Sequence, residues 1–284
     1  MKIVHADQVE WNRAQQYRAG TFHSRRIMEG TPGTIDNYFV SMGRSDADFE
    51  SPRHRHNFDQ FRIQLNGIFD FSRDGKMKPG SIAYFPEGTS YGPQTSEGIA
   101  TNLVLQFGSS SGGGFLSRQE IAQGMEELKL YGRFEAGVFL RNPDVPGKRN
   151  LDAVQAIWEH LNGRPMVYPK PRYDKPVIIH PDNFSWMPVA GKPGISEKFM
   201  GLFSERKTSI ALYRVDPGAS LDCEGRAIYF GYRGAAALDD NPIELHTTAF
   251  LDWGEQATFR SDDGAEVVRF GLPDLRDMRS DASR

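Results

Sequence analysis

Two short runs hold residue types that can do chemistry together. The first reads His54-x-His56-x3-Gln60-x6-Gly67 and the second Gly80-x5-Pro86-x-Gly88-x2-Tyr91. In a strand, residues i and i+2 point the same way, so His54 and His56 can offer two imidazoles to one ion. Two neutral ring nitrogens are a good start for zinc, iron, manganese or nickel. Gln60 shares their parity, and a turn at Pro86-Glu87-Gly88 would return Tyr91 from an adjacent strand. Gln60 supplies only a neutral carbonyl oxygen, so an ion there keeps more of its positive charge than beside a carboxylate. Tyr91 can make up the difference as an anionic ligand, or it can keep its proton and donate it to substrate. The bland alternative is a satisfied polar network of His54, His56, Gln60 and Tyr91 with no ion.

Arg62 and Gln64 continue the even-numbered face and would project into the same interior. A buried arginine needs an anion: a substrate carboxylate or enolate held by two parallel hydrogen bonds, or an internal partner such as Asp36, Asp70 or Glu87. Arg53 and Arg55 alternate outward and read as solvated. Gln94, in the run YGPQ, reads as a turn-stabilising amide.

These residues need strands to hold them. From Thr34 to Phe107 the runs IDNYFVSMG, FDQFRIQLNGIFDF, GSIAYFP and ATNLVLQFG are rich in aromatic and β-branched residues and are punctuated by Gly, Pro, Asp and Ser. The texture returns after Thr208 in TSIALYRVDPG, RAIYFGYRG, IELHTTAFLDWG, QATFR and EVVRFGL. Between the two β-regions Ser117 and Glu120 stand in capping-box spacing before a helix predicted over 118–131. Leu151, Val154, Ile157, Trp158 and Leu161 mark a second helix that Gly163 stops. RPMVYPKPRYDKP reads as an extended connector and the SSSGGG run at 109–114 as a hinge or loop.

Composition narrows the partners. Lys+Arg 34 against Asp+Glu 37 give a net charge of -3 over 284 residues, which argues against nucleic-acid and membrane-surface binding. One cysteine, Cys223, forms no internal disulfide, and no window approaches a membrane span, so the chain reads as soluble and cytoplasmic. His5, His23, His160, His180 and His246 are scattered. No nucleophile elbow, phosphate loop or dinucleotide fingerprint is present, which removes serine hydrolases, kinases and nicotinamide dehydrogenases.

The paired motifs resemble the two signature motifs of the cupin superfamily, in which two His and a Glu of the first motif and a His of the second bind one metal inside a small β-barrel. His54, His56, Gly67, Gly80, Pro86 and Gly88 match its spacing. Gln60 stands at the glutamate, Tyr91 at the third histidine, Asp48 at the leading glycine and Thr95 at the usual asparagine. Aligning Gly234 with Gly67 puts Leu221, Cys223 and Ala227 where His54, His56 and Gln60 stand, and the turn Asp252-Trp253-Gly254 leads to Ala257. The resemblance therefore implies an all-β protein of two cupin-type jelly-roll barrels with a helical connector. Its expected parts are an N-terminal arm over 1–33, a first barrel over 34–108, a connector over 109–175 and a ligand-free second barrel over 176–284.

The function this implies is a metal-dependent enzyme of a small organic acid or an aromatic or enolic substrate, foremost a dioxygenase. His54, His56, Gln60 and Tyr91 would hold a divalent transition metal, iron(II) favoured over manganese, nickel or zinc, and Arg62 would anchor a substrate anion. A metal-free isomerase or lyase using His as base and Tyr as acid is the alternative enzyme, and a small-ligand sensor or carrier the alternative class. A homodimer is expected.

Overall fold

The computed structural model describes residues 1–13, 20–111 and 116–278. It divides into two compact units, Trp11–Ile178 and Met1–Glu10 together with Ile179 onward.

The first unit is built on an antiparallel sheet. In spatial order its strands are Val177–Ile179, Ile82–Phe85, Asp59–Asp70, Gln94–Phe107, Tyr38–Ser45, Phe22–Glu29 and Asn12–Arg13. The sheet thus begins well before position 34, because Phe22–Glu29 pairs along the whole of Tyr38–Ser45. The longest strand pair, Asp59–Asp70 with Gln94–Phe107, curls the sheet. Register shifts between Gln64 and Asn66 and again between Asn66 and Ile68 bend the strand there. Gly67 takes a φ of +66° at this bend, and a Cβ on it would stand 2.3 Å from the Ile99 carbonyl oxygen. The bulges also reset the alternation. Gln60 and Arg62 face the interior from even positions, whereas Phe69, past the bulges, faces it from an odd one.

The connector supplies two helices, α1 (Arg118–Leu128) and α2 (Ala153–Asn162). Ser117 and Glu120 close a reciprocal capping box on α1. Asp152 caps α2 through the N–H groups of Val154 and Gln155, so Leu151 lies before the helix, and Gly163 ends it at φ +61°. Three short strands, Gly132–Glu135, Val138–Arg141 and Asn150–Asp152, form a small sheet between the helices that the sequence reading left out. Leu116, Leu128, Phe139, Leu151, Ala156 and Ile157 give this region its own core. Residues 112–115 of the glycine-rich run lie outside the described residues, but Ser109 and Ser111 are anchored, as shown below.

The second unit pairs a seven-stranded sheet with a four-stranded one. Lys2–His5 belongs to the larger sheet, in antiparallel register with Thr247–Leu251, so the first residues form a strand of this unit and not an arm of the first. Leu221, Cys223, Ala227 and Ala257 are all buried in one apolar cluster with Ile195, Val215, Tyr229 and Phe259. Burial pushes the Cys223 thiol up to about 12. No helix among the described residues is long and apolar enough to cross a membrane.

Candidate active site

The two motifs meet edge to edge. His54 and Tyr91 exchange backbone hydrogen bonds, N–H of each to the carbonyl of the other, and the Gly88 N–H donates to the His56 carbonyl. His54 and His56 therefore sit in a connecting segment, ahead of the strand that begins at Asp59, and this short ladder fixes them in place of strand alternation. Gly88 adopts φ +74°, and a Cβ there would come within 2.4 Å of the Pro169 carbonyl oxygen. The proline-rich segment thus lies directly on the turn of the second motif.

All five candidate residues converge. Tyr91, 1% exposed, puts its Oη 3.1 Å from His54 Nε2, 3.0 Å from His56 Nε2, 3.2 Å from Gln60 Nε2 and 3.0 Å from Arg62 Nη2. Proton roles follow from what each neighbour can do. His54 Nδ1 lies 2.6 Å from the Pro52 carbonyl, an acceptor only, so Nδ1 carries the proton and Nε2 of the neutral ring accepts. Gln60 Oε1 accepts from Arg62 Nη2 at 3.1 Å, which turns the amide N–H toward Tyr91. Gln60 and Arg62 donate to Oη, so its single hydrogen serves one imidazole Nε2 at a time, that of His54 or that of His56. Behind the cluster Phe71, Met77 and Phe85 exclude water.

Arg62 is buried, at 7% exposure, with its guanidinium 4.4 Å above the Phe85 ring and its Nη1 donating to Gln94 Oε1 at 3.0 Å. Of the carboxylates considered for it, Asp70 pairs with Lys76 and Glu87 with Arg172. Gln94 is thus part of the site and not a turn amide. Gln64 points to backbone carbonyls at Asn66 and Thr101. Arg53 and Arg55 are also engaged, Arg53 with Asp74 and the carbonyls of Ser90 and Gly92, Arg55 over the Tyr168 ring at 3.9 Å. Both clamp the motif loops, because the loops leave the sheet and bring outward residues against neighbours.

Glu87, fully buried on the turn, accepts from Ser109 Oγ, Ser111 Oγ, the Ser111 N–H and Arg172 Nη1. Beside it Asp59 accepts the Glu87 N–H at 2.8 Å, and burial, with the Glu87 charge adding to it, raises the Asp59 carboxyl to about 7. These acids lie on the opposite parity from Gln60 and Arg62.

A cavity of about 220 Å³ opens over the cluster. His54, His56, Gln60, Arg62, Gln94, Asn102 and Gln106 form its polar wall, Phe22, Phe39, Phe49, Phe58, Phe69 and Val104 its apolar wall, and Leu116, Arg118, Ile121 and Val154 its helical side. Tyr91 is not on the lining and acts through the residues that are. Asn102 and Gln106, the polar side chains at even positions of ATNLVLQFG on either side of Val104, could have marked an inward face. Arg118 carried no such signal.

As a cation site the cluster fits only in part. His54, His56 and Tyr91 have lone pairs to give, but Gln60 presents its N–H, and a guanidinium stands 3.0 Å from the shared oxygen. A tyrosine is also longer than a histidine by about one metal–nitrogen bond, ~2 Å. Its oxygen therefore reaches the point on which the imidazoles converge. No group of three or more His, Cys, Asp or Glu able to hold a metal is found among the described residues.

No family model and no curated protein matches the chain. Solved structures do. A candidate dioxygenase from Nostoc punctiforme aligns with a TM-score of 0.63 at 12% identity over 96% of this chain and 82% of that one. A Geobacillus kaustophilus protein aligns with a TM-score of 0.53 at 10% identity over 96% and 95%. A variant of oxalate decarboxylase from Bacillus subtilis gives 0.54 at 14% identity over 96% and 78%. The all-β architecture is the cupin-type jelly roll of these neighbours.

Proposed function

We propose that the first barrel binds a small organic acid and moves a proton on it, the chemistry of an isomerase or lyase. The charge of the cavity carries this reading. Its described lining holds Arg13, Arg62 and Arg118 and two imidazoles, with no Asp or Glu. In apolar surroundings such a lining attracts an anion and strengthens each contact to it. Arg62 binds the substrate carboxylate and offsets negative charge that develops when a neighbouring proton is removed. His54 and His56 both line the cavity, but His54 is held at both ring nitrogens, by the Pro52 carbonyl and by Tyr91, so His56 is the base. The proton that His56 removes from one position of the substrate it returns to another, as an isomerase requires. Tyr91, which does not reach the cavity, is a positioning residue that holds the His56 ring through Nε2. The second barrel, apolar where the first is polar, is a packing unit that has lost its site.

The competing reading is a metal-dependent oxygenase with iron(II) on His54, His56 and Tyr91. It is favoured by the 3.0 and 3.1 Å separations from the phenol oxygen to the two Nε2 atoms, which are also those of adjacent ligands about 2.1 Å from one ion. It requires Gln60 and Arg62 to turn their N–H groups away.

Elemental analysis after anaerobic loading with iron, manganese, nickel or zinc separates the two. The expected result is no stoichiometric metal, together with calorimetric binding of small carboxylic acids that Arg62→Met abolishes. Near one equivalent of metal, removed by His54→Ala with His56→Ala, establishes the oxygenase reading instead. Carboxylic acids that bind no better than the corresponding amides overturn the acid-binding reading.

A further inference from the structure

The cavity is basic at more than one place. Arg62 stands inside the barrel, whereas Arg118 enters the lining from the first turn of α1. Arg118 has a cationic neighbour in Arg26. The Arg26 guanidinium lies 5.5 Å over the Phe39 ring, and Phe39 and Ser41, the latter opposite Arg26 in the strand register, both line the cavity. Arg26 Nε and Nη2 are buried without a hydrogen-bond partner among the described residues, and its nearest carboxylate, Glu29, is 3.9 Å from Nη1. Burial and then the charge of Arg118 hold Arg26 below the usual guanidinium range. Two arginines within electrostatic reach of each other, one of them with buried donors unused, are costly in a protein that never places an anion beside them. Arg13 also lines the cavity but is exposed and has Asp48 nearby, so it is not counted here.

We infer that Arg118 and Arg26 form a second anion subsite on the helical side of the cavity, so that the natural ligand is a small acid with two anionic groups. One carboxylate meets Arg62, and a second carboxylate or a phosphate meets Arg118 and Arg26. This rests on the acid-binding reading above and adds the substrate class to it. The apolar wall of Phe39, Phe49 and Val104 lies along the same cavity and suits an uncharged carbon chain joining the two ends.

The test is calorimetric titration of the full chain at fixed ionic strength with straight-chain dicarboxylates of increasing length, their monomethyl esters, and a carboxylic acid bearing a terminal phosphate ester. A charge-assisted contact to arginine predicts that one dianion binds about 10- to 100-fold tighter than its monoester. Arg118→Met should erase that preference by weakening the dianion about 10-fold more than the monoester, Arg118→Lys should restore part of it, and Arg62→Met should weaken dianion and monoester alike. Whether the dicarboxylate or the phosphate ester gains more names the second anion. Equal binding of dianions and monoesters, with Arg62→Met still weakening both, overturns the second subsite and leaves the acid-binding reading standing. If no acid binds, both fall. An Arg118→Met protein that keeps wild-type melting behaviour and the full dianion preference also overturns the inference.

Discussion

Deleting a single oxygen, by Tyr91→Phe, tests whether the cluster is organised around the phenol. The oxygen is within 3.0–3.2 Å of two imidazoles, an amide N–H and a guanidinium. The ring is kept, so apolar packing against Phe71 and Phe85 at 5.9 and 4.7 Å between centroids is unchanged. Each buried donor left without a partner costs about 1–3 kcal/mol. Arg62 keeps Gln94 and Gln60, so its loss is the smallest. The Gln60 N–H and one imidazole lose most, discounted because the adjoining cavity can lend water. The expected destabilisation is about 2–4 kcal/mol, which for a unit of this size lowers the melting temperature by roughly 5–15 °C. Calorimetry and urea titration measure it. A double-mutant cycle with Arg62→Met should give a coupling of about 1–3 kcal/mol. A loss under about 1 kcal/mol, or strict additivity in the cycle, would show that the phenol oxygen is not the hub.

Two other outcomes follow from burial. The Asp59 carboxyl is raised from 3.8 to about 7 in the folded chain, so the folded state holds its proton more firmly than the unfolded one. Its contribution is complete below about pH 4 and lost as pH rises toward 7, on the order of 4 kcal/mol at most. Asp59→Asn, which can still accept the Glu87 N–H, should flatten urea stability across that window; an unchanged slope would refute the assignment. Cys223, pushed up to about 12 by burial, should resist a thiol-specific disulfide reagent at pH 8 in native protein and react once unfolded. Rapid native labelling would contradict its place in the apolar core.

Much of the site's membership was legible because it depends on residue type and short spacing. His54, His56, Gln60, Arg62 and Tyr91 do converge, and the helix ends follow from Ser117, Glu120 and Gly163. What failed did so for non-local reasons. Alternation placed Arg53 outward, yet the loop it occupies folds back onto Asp74, twenty-one positions along. Gln94 looked like a turn amide because its ladder partner Ser51, and Arg62 that donates to it, are far away in sequence. The short sheet of the connector has strands of three and four residues, too brief for any period to register.

Residue order alone determined that this chain would make strands of period two, that two imidazoles, an amide, a guanidinium and a phenol would share one interior, and that the later β-region would carry apolar residues at the matching positions. These follow from backbone geometry and side-chain chemistry, which each residue brings with it. Tertiary structure decided which atom stands at the centre and which way each proton points. The bulges at Gln64 to Ile68 reset the inward parity, the bridge between His54 and Tyr91 replaced strand alternation, and the helices set Arg118 on the cavity wall. Register, bulge and the reach of a longer side chain are properties of paired segments, and no single segment contains them.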